Sequence, residues 1–182
     1  MDTIKNYKYK LIKNFLTKEE VDIGSHYLKF IHKVNVNYFD MKQNNNYDSY
    51  FYLDPLTETL MMKKLKTVEQ ITGLKLFPTY SFSRIYTFNS DLKKHLDRES
   101  CEISMTIMWD SDGTKWPIFM NGTPIEMKPG DAVIYLGREL PHWREPFEGD
   151  FHIQSFLHYV DQEGPCKEFK YDKRDNKLNP EV

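Results

Sequence analysis

From Leu74 onward the apolar residues abandon helical spacing and fall into short runs: 74–88, 102–109, 116–120, 124–127, 131–136 and 150–160. The runs are separated by DSDG, NG, PGD and EGD. Gly, Asn, Asp and Pro supply the backbone angles of tight turns, so each run reads as a strand and each break as a turn. Several strands at this spacing restrict the chain to a sandwich or a barrel. The NGT at Asn121 matches a glycosylation sequon, but between two strand runs Asn-Gly is read as a hairpin turn.

The first part of the chain has a different period. Residues 8–15 (KYKLIKNF) read as a short strand. Thr17 is placed to cap a helix, with Glu20 completing a capping box. That helix runs to about Val34 and sets Val21, Leu28 and Ile31 on one face. Asp54 as N-cap and Pro55 at the first helical position open a second helix. It carries Leu60, Met61, Leu65, Val68 and Ile71 and stops at Gly73, a favoured residue after a helix end. Residues 35–53 show no clear period, and QNNNYDS at 43–49 reads as a polar loop. The tail, 163–182, is polar and reads as a surface loop or a partly disordered segment. No repeat, low-complexity tract or linker divides the 182 residues, which predicts one domain.

Charge and composition narrow the partners. Lys+Arg 25 against Asp+Glu 27 gives a net charge of −2, so no basic bias favours nucleic acid. No stretch is apolar over the length a membrane span needs, and MDTIKNYKYK has no signal-peptide core. Two cysteines, Cys101 and Cys166, are too few for a disulfide framework, which predicts a reducing, cytoplasmic setting. Nothing in the pattern sets an oligomeric state. Aromatic residues at 15% suit a β-rich interior and a lined cleft.

One group of residues points to a metal. On a strand, side chains alternate, so His95 and Asp97 in KKHLDRES face the same way. His142 in LPHWREP, after the strand and turn of PGDAVIYLG, can close the same side. Two imidazoles and one carboxylate on one face, with three positions open, suit a non-haem Fe(II) centre. His-x-Asp by itself is common. The bland alternative leaves His95 on a charged surface run and His142 in a turn. Pro141 restricts the backbone just ahead of His142 and helps to aim its ring.

The segments NFLTKEE, YSFSRIYTFNSDLKKHLD, WPIFMNG, MKPGDAVIYLGRELPHW and IQSFLHYVD resemble the Fe(II)/2-oxoglutarate dioxygenases, in their prolyl-4-hydroxylase-like branch. The resemblance spans roughly residues 10–162. It implies a mainly β (α+β) fold, a double-stranded β-helix of jelly-roll or cupin-like form, with two N-terminal helices packed on one sheet. Residues 1–73 would be helical support, 74–162 the jelly-roll core and 163–182 the tail. It implies Fe(II), 2-oxoglutarate as cosubstrate and O2. The reaction implied is hydroxylation of an unactivated C–H bond, on a prolyl or other peptidyl side chain or a small molecule, with release of succinate and CO2. A non-catalytic cupin-like metal- or small-molecule-binding protein is the competing reading, because jelly rolls host many functions. A nucleic-acid demethylase is disfavoured by the lack of a basic stripe.

The resemblance also implies site residues. His95, Asp97 and His142 match the metal ligands, and Tyr86 stands where the pattern has a tyrosine, nine residues before the first ligand. The pattern places a Lys or Arg about ten residues after the second histidine, but His152 stands there. Candidates to hold the far carboxylate of 2-oxoglutarate are therefore Arg84, which shares a face with Tyr86, then Lys115, then His152 with Gln154. Alternation gives His152, Gln154 and Phe156 one face. The structural alternative for Arg84 is an ion pair with a glutamate such as Glu102. Arg98 is read as facing away from the metal. Trp143 and Arg144 are read as lining a substrate mouth or packing on a loop. His158 is read as a core histidine or one behind the ligands, and His26 and His32 as solvent-facing.

Overall fold

A computed structural model describes residues 3–34 and 48–174. Its helices begin where the capping chemistry requires. The Thr17 hydroxyl accepts the Glu20 N–H at 3.2 Å, and the Glu20 carboxylate accepts the Thr17 N–H at 3.0 Å. Each contact satisfies a donor that the first helical turn leaves without a partner. The turn α1 (Ile4–Tyr7) precedes β1 (Tyr9–Ile12), and the capping box then opens α2 (Lys18–Lys33). After β2 (Ser49–Tyr52), the Asp54 carboxylate accepts the N–H groups of Leu56 and Thr57 and starts α3 (Pro55–Thr72). Gly73 ends α3 at φ 70°, a left-handed angle that glycine adopts without steric cost.

Eight strands follow: β3 (Leu76–Tyr86), β4 (Leu92–His95), β5 (Ile103–Ser111), β6 (Ile118–Met120), β7 (Thr123–Ile125), β8 (Ala132–Leu136), β9 (His142–Arg144) and β10 (His152–Asp161). They form a six-stranded sheet in the order β1-β8-β5-β10-β3-β2 and a four-stranded sheet in the order β4-β9-β6-β7. All pairings are antiparallel. This is a double-stranded β-helix, with α2 and α3 on the large sheet.

Strand alternation decides what meets what. Ile103, Met105, Ile107 and Trp109 of β5 pack with Ile153 and Leu157 of β10 against Leu28, Leu60, Met61 and Val68 of the helices. The alternate residues of the same strands point into the barrel. Val133 and Tyr135 of β8 meet Ile118, Met120 and Ile125 of the small sheet there. With both faces covered, every residue of β10 is buried, and polar side chains on its inner face have no water to turn to.

The structure corrects several expectations. The strand over 8–15 is only Tyr9–Ile12, because Lys8 (φ 64°) and Asn14 (φ 52°) turn the chain at either end. Strand β2 lies where no period was legible. Asn121 (φ 49°) and Gly122 (φ 91°) make the expected hairpin turn between β6 and β7. Residues 43–47 of the polar loop and 175–182 of the tail lie outside the described residues. Residues 163–174 of the tail dock on the protein through a short 3-10 segment, Lys167–Lys173. Among the described residues no helix is long and apolar enough to cross a membrane.

Candidate active site

Strands β4 and β9 pair so that His95 lies opposite His142, with ring centroids 4.3 Å apart. β4 ends at His95, so Asp97 is not on the strand. It is held instead by its backbone N–H, which donates to the Gly137 carbonyl at 2.9 Å. The three side chains converge all the same, with ligand atoms within 4.8 Å of one another.

The tautomers follow from the backbone. His95 Nδ1 lies 2.7 Å from the Lys93 carbonyl, and His142 Nδ1 lies 2.9 Å from the Leu140 carbonyl. A carbonyl only accepts, so both Nδ1 atoms carry hydrogen and both Nε2 atoms offer lone pairs when the rings are neutral. Those Nε2 atoms lie 3.3 and 3.4 Å from Asp97 Oδ1. Three lone pairs aimed at one point repel unless a proton or a cation sits among them. Adjacent ligands at bonds of about 2.1 Å would stand roughly 3.0 Å apart, close to the spacing found.

Asp97 is positioned through its other oxygen. Ser104 Oγ donates to Oδ2 at 2.8 Å and lies 2.9 Å from His158 Nδ1. A Cβ at Gly137 would collide with Asp97 Oδ2 and Ser104 Oγ, so only glycine leaves this carboxylate its place. Burial opposes ionisation of Asp97, but the hydrogen bonds that His142 and His95 donate once protonated prevail and hold its carboxyl well below the usual range. The hydrogen bond to Asp97 raises the His95 pKa, against the effect of burial. Burial pushes His158 down to about 4.

The ligands line one side of a cavity of about 320 Å3, whose other walls include Tyr80, Phe82, Tyr135 and Phe156. Arg84 also lines it, but its guanidinium is taken. Nε donates to Asp48 Oδ2 at 2.9 Å, Nη2 bonds the same oxygen, and the group stacks between Tyr50 and Tyr86. Its partner is thus Asp48 and not Glu102. Arg98 lines the cavity too, contrary to the alternation argument, which fails because β4 stops before it. It lies over Tyr80 and pairs with Asp172 at 2.9 Å, and Asp172 also accepts from Tyr52 and Ser100. Lys115 is 82% exposed, 3.7 Å from Glu126, and borders a separate cavity of about 260 Å3.

Beyond His95, Asp97 and His142 the inner face is polar and closed. Tyr86 is fully buried against Trp116, with centroids 4.8 Å apart. Opposite it in register on β10 is His152, and opposite Arg84 is Gln154. Gln154 Nε2 lies 2.8 Å from His152 Nε2, and the Thr106 hydroxyl donates to Gln154 Oε1. Arg144 meets the second of its two expectations: it packs on Trp116, in the loop between β5 and β6, and does so inside the fold, 3% exposed, with Nη1 donating to the Trp116 carbonyl and Cζ 4.5 Å above the Trp116 ring. The signal was in HWR: if His142 points inward on a strand, so does the residue two places on. Trp143 points the other way and stacks on Phe119 at 7°. His26 and His32 are exposed on α2.

No family model and no curated protein sequence matches the chain. Its structure is similar to the non-haem α-ketoglutarate-dependent epimerase SnoN from nogalamycin biosynthesis, with TM-score 0.69 and 10% identity over 85% of this chain and 78% of that one. It is similar to a Pseudomonas putida prolyl-4-hydroxylase, with TM-score 0.65 and 15% identity over 87% and 95% of the two chains. It is also similar to a Trichoplax adhaerens prolyl hydroxylase in complex with a hypoxia inducible factor peptide fragment, with TM-score 0.67 and 12% identity over 88% and 86%. The fold is the double-stranded β-helix that these oxygenases share.

Proposed function

We propose that this chain is a Fe(II)- and 2-oxoglutarate-dependent dioxygenase that hydroxylates an unactivated C–H bond, with His95, Asp97 and His142 as the metal ligands. One observation carries the reading: the His95 and His142 Nε2 atoms lie 3.3 and 3.4 Å from Asp97 Oδ1 on the wall of one cavity. Two neutral imidazoles and a carboxylate on one side suit Fe(II) and leave positions for a bidentate 2-oxo acid and O2. Iron bound there with 2-oxoglutarate and O2 supplies the oxidation, with release of succinate and CO2.

The protein's own part is orientation and exclusion of water. The carbonyls of Lys93 and Leu140 fix both imidazole tautomers. Ser104 occupies one carboxylate oxygen of Asp97 and leaves the other for the metal. Tyr80, Phe82 and Phe156 wall the cavity with apolar surface, which keeps competing water away. Tyr86, Arg84, His152 and Gln154 share the inner face on which the 2-oxo acid would lie.

The substrate reading that fits best is a prolyl or other peptidyl side chain, supported by the likeness to two prolyl hydroxylases, one of them bound to a peptide fragment. Likeness to an epimerase from nogalamycin biosynthesis supports a small molecule as the second reading. Both cysteines are free and buried, which supports a reducing, cytoplasmic setting. The test is succinate formation from 2-oxoglutarate, with and without added Fe(II). Iron-dependent succinate in the wild type, and none in Asp97→Ala, is the expected result. Equal turnover in Asp97→Ala would remove the metal assignment. Metal binding with no affinity for 2-oxoglutarate would favour the cupin-like binding protein instead.

A further inference from the structure

We propose that Arg144, with His152 beside it, is the anion seat of this site and takes the far carboxylate of the 2-oxo acid. The assignment deepens the dioxygenase reading and rests on it for the identity of the anion.

Among the described residues Arg144 is a charge without a counter-charge. Its side chain is almost fully buried, and among the described residues no carboxylate pairs with it. Its hydrogen bond goes to the neutral carbonyl of Trp116, and Nη2 has no partner among the described residues. Burial lowers its pKa only to about 10, so the guanidinium stays positive at neutral pH. A cation in this position is costly unless an anion joins it. The two arginines that line the cavity beside His95, Asp97 and His142 have their anions already, Arg84 in Asp48 and Arg98 in Asp172.

His152 adds a second donor. Thr106 donates to Gln154 Oε1, which turns the Gln154 amide nitrogen toward His152 Nε2. Nε2 therefore accepts, and the neutral ring carries its hydrogen on Nδ1. That Nδ1 has no acceptor among the described residues. Arg144 and His152 both lie against Trp116, Arg144 over its face and His152 edge-on at 5.1 Å. Two buried donors, one of them charged, with no acceptor between them, match a carboxylate and exclude a cation.

The position selects the length of the acid. His142 and Arg144 are two residues apart on β9 and share its inner face, about 6.6 Å apart along the strand at a rise of roughly 3.3 Å per residue. A 2-oxo acid held at the metal ligands by its head group can reach the guanidinium with a five-carbon chain. A 2-oxo acid without a second carboxylate leaves the seat unfilled.

The test compares 2-oxoglutarate with 2-oxobutyrate by calorimetry, on the full chain loaded with Mn(II). The wild type should prefer 2-oxoglutarate. Arg144→Met should weaken 2-oxoglutarate binding by about tenfold to a hundredfold, with affinity for 2-oxobutyrate and Mn(II) unchanged. Arg144→Lys should keep part of the preference. Arg144→Met should also melt at or above the wild-type temperature, since an uncompensated buried charge has gone. An Arg144→Met that keeps the full preference overturns the assignment, as does one that fails to fold, which would make Arg144 structural. If the Mn(II) protein binds neither 2-oxo acid, but glutarate alone raises the melting temperature of the wild type and not of Arg144→Met, the dioxygenase reading falls and the anion seat stands.

Discussion

Asp97 is gripped on three sides, and the grip makes predictions of its own. Its backbone hangs from Gly137, Oδ2 accepts from Ser104, and Oδ1 faces the histidines. Ser104→Ala should leave the fold intact and lower metal affinity about tenfold to a hundredfold, the usual cost of losing a partner behind a ligand. A Mn(II) titration reads this, and unchanged affinity would show that Ser104 does not set the carboxylate. Behind Ser104, His158 has a folded-state pKa of about 4, below its ordinary 6.5, because it is buried. As pH falls through 6.5 the unfolded chain takes up a proton that the folded chain refuses until about 4. Stability is therefore lost between those two values, by an amount of the order of 3 kcal/mol. The melting temperature of wild type should fall steeply over this window and that of His158→Gln less so. Parallel curves would exclude His158 as the cause.

At the scale of the element, α2 shows packing overruling propensity. Gly24 lies mid-helix, where alanine is intrinsically better by about 1 kcal/mol. A Cβ there would overlap the Trp109 ring. The ring cannot retreat, because it is buried and its Nε1 donates to Ser155 Oγ at 2.6 Å. Overpacking of this kind costs about 1–3 kcal/mol or more. Gly24→Ala should thus destabilise the protein in urea titration despite its better propensity; a stabilised variant would mean that α2 shifts freely on the sheet. Thr17→Ala removes the capping box and should cost about 1 kcal/mol.

Metal bound at the proposed site would be felt by the whole molecule, because His95 and His142 lie on paired strands and Asp97 lies just beyond one of them. β4 and β9 make few ladder contacts, with a register shift between Leu92 and His95. An ion bound only by the folded state stabilises it by about 2.7 kcal/mol at a hundredfold excess over its dissociation constant. For a domain of this size that is a rise in melting temperature of about 5–10 °C. Scanning calorimetry with Mn(II) should show such a rise in wild type and none in Asp97→Ala. An equal rise in both would place the ion elsewhere.

Much of this was local and therefore legible. Thr17 with Glu20, Asp54 with Pro55, Gly73 and Asn121-Gly122 act on backbone groups within a few residues, so the sequence alone placed both helices and the β6–β7 hairpin. The change of period at Leu74 announced a strand-rich core, and His95, Asp97 and His142 stood out by residue type. The tertiary structure decided what is non-local. The short strand β9 turned Arg144 inward, and the covering of both sheet faces hid alternation in β10. Asp48, distant in sequence, neutralised Arg84, while among the described residues Arg144 has no anion. Spacing can say which way a side chain points on an assumed strand, but whether a buried charge finds its counter-charge depends on segments that only the folded chain brings together.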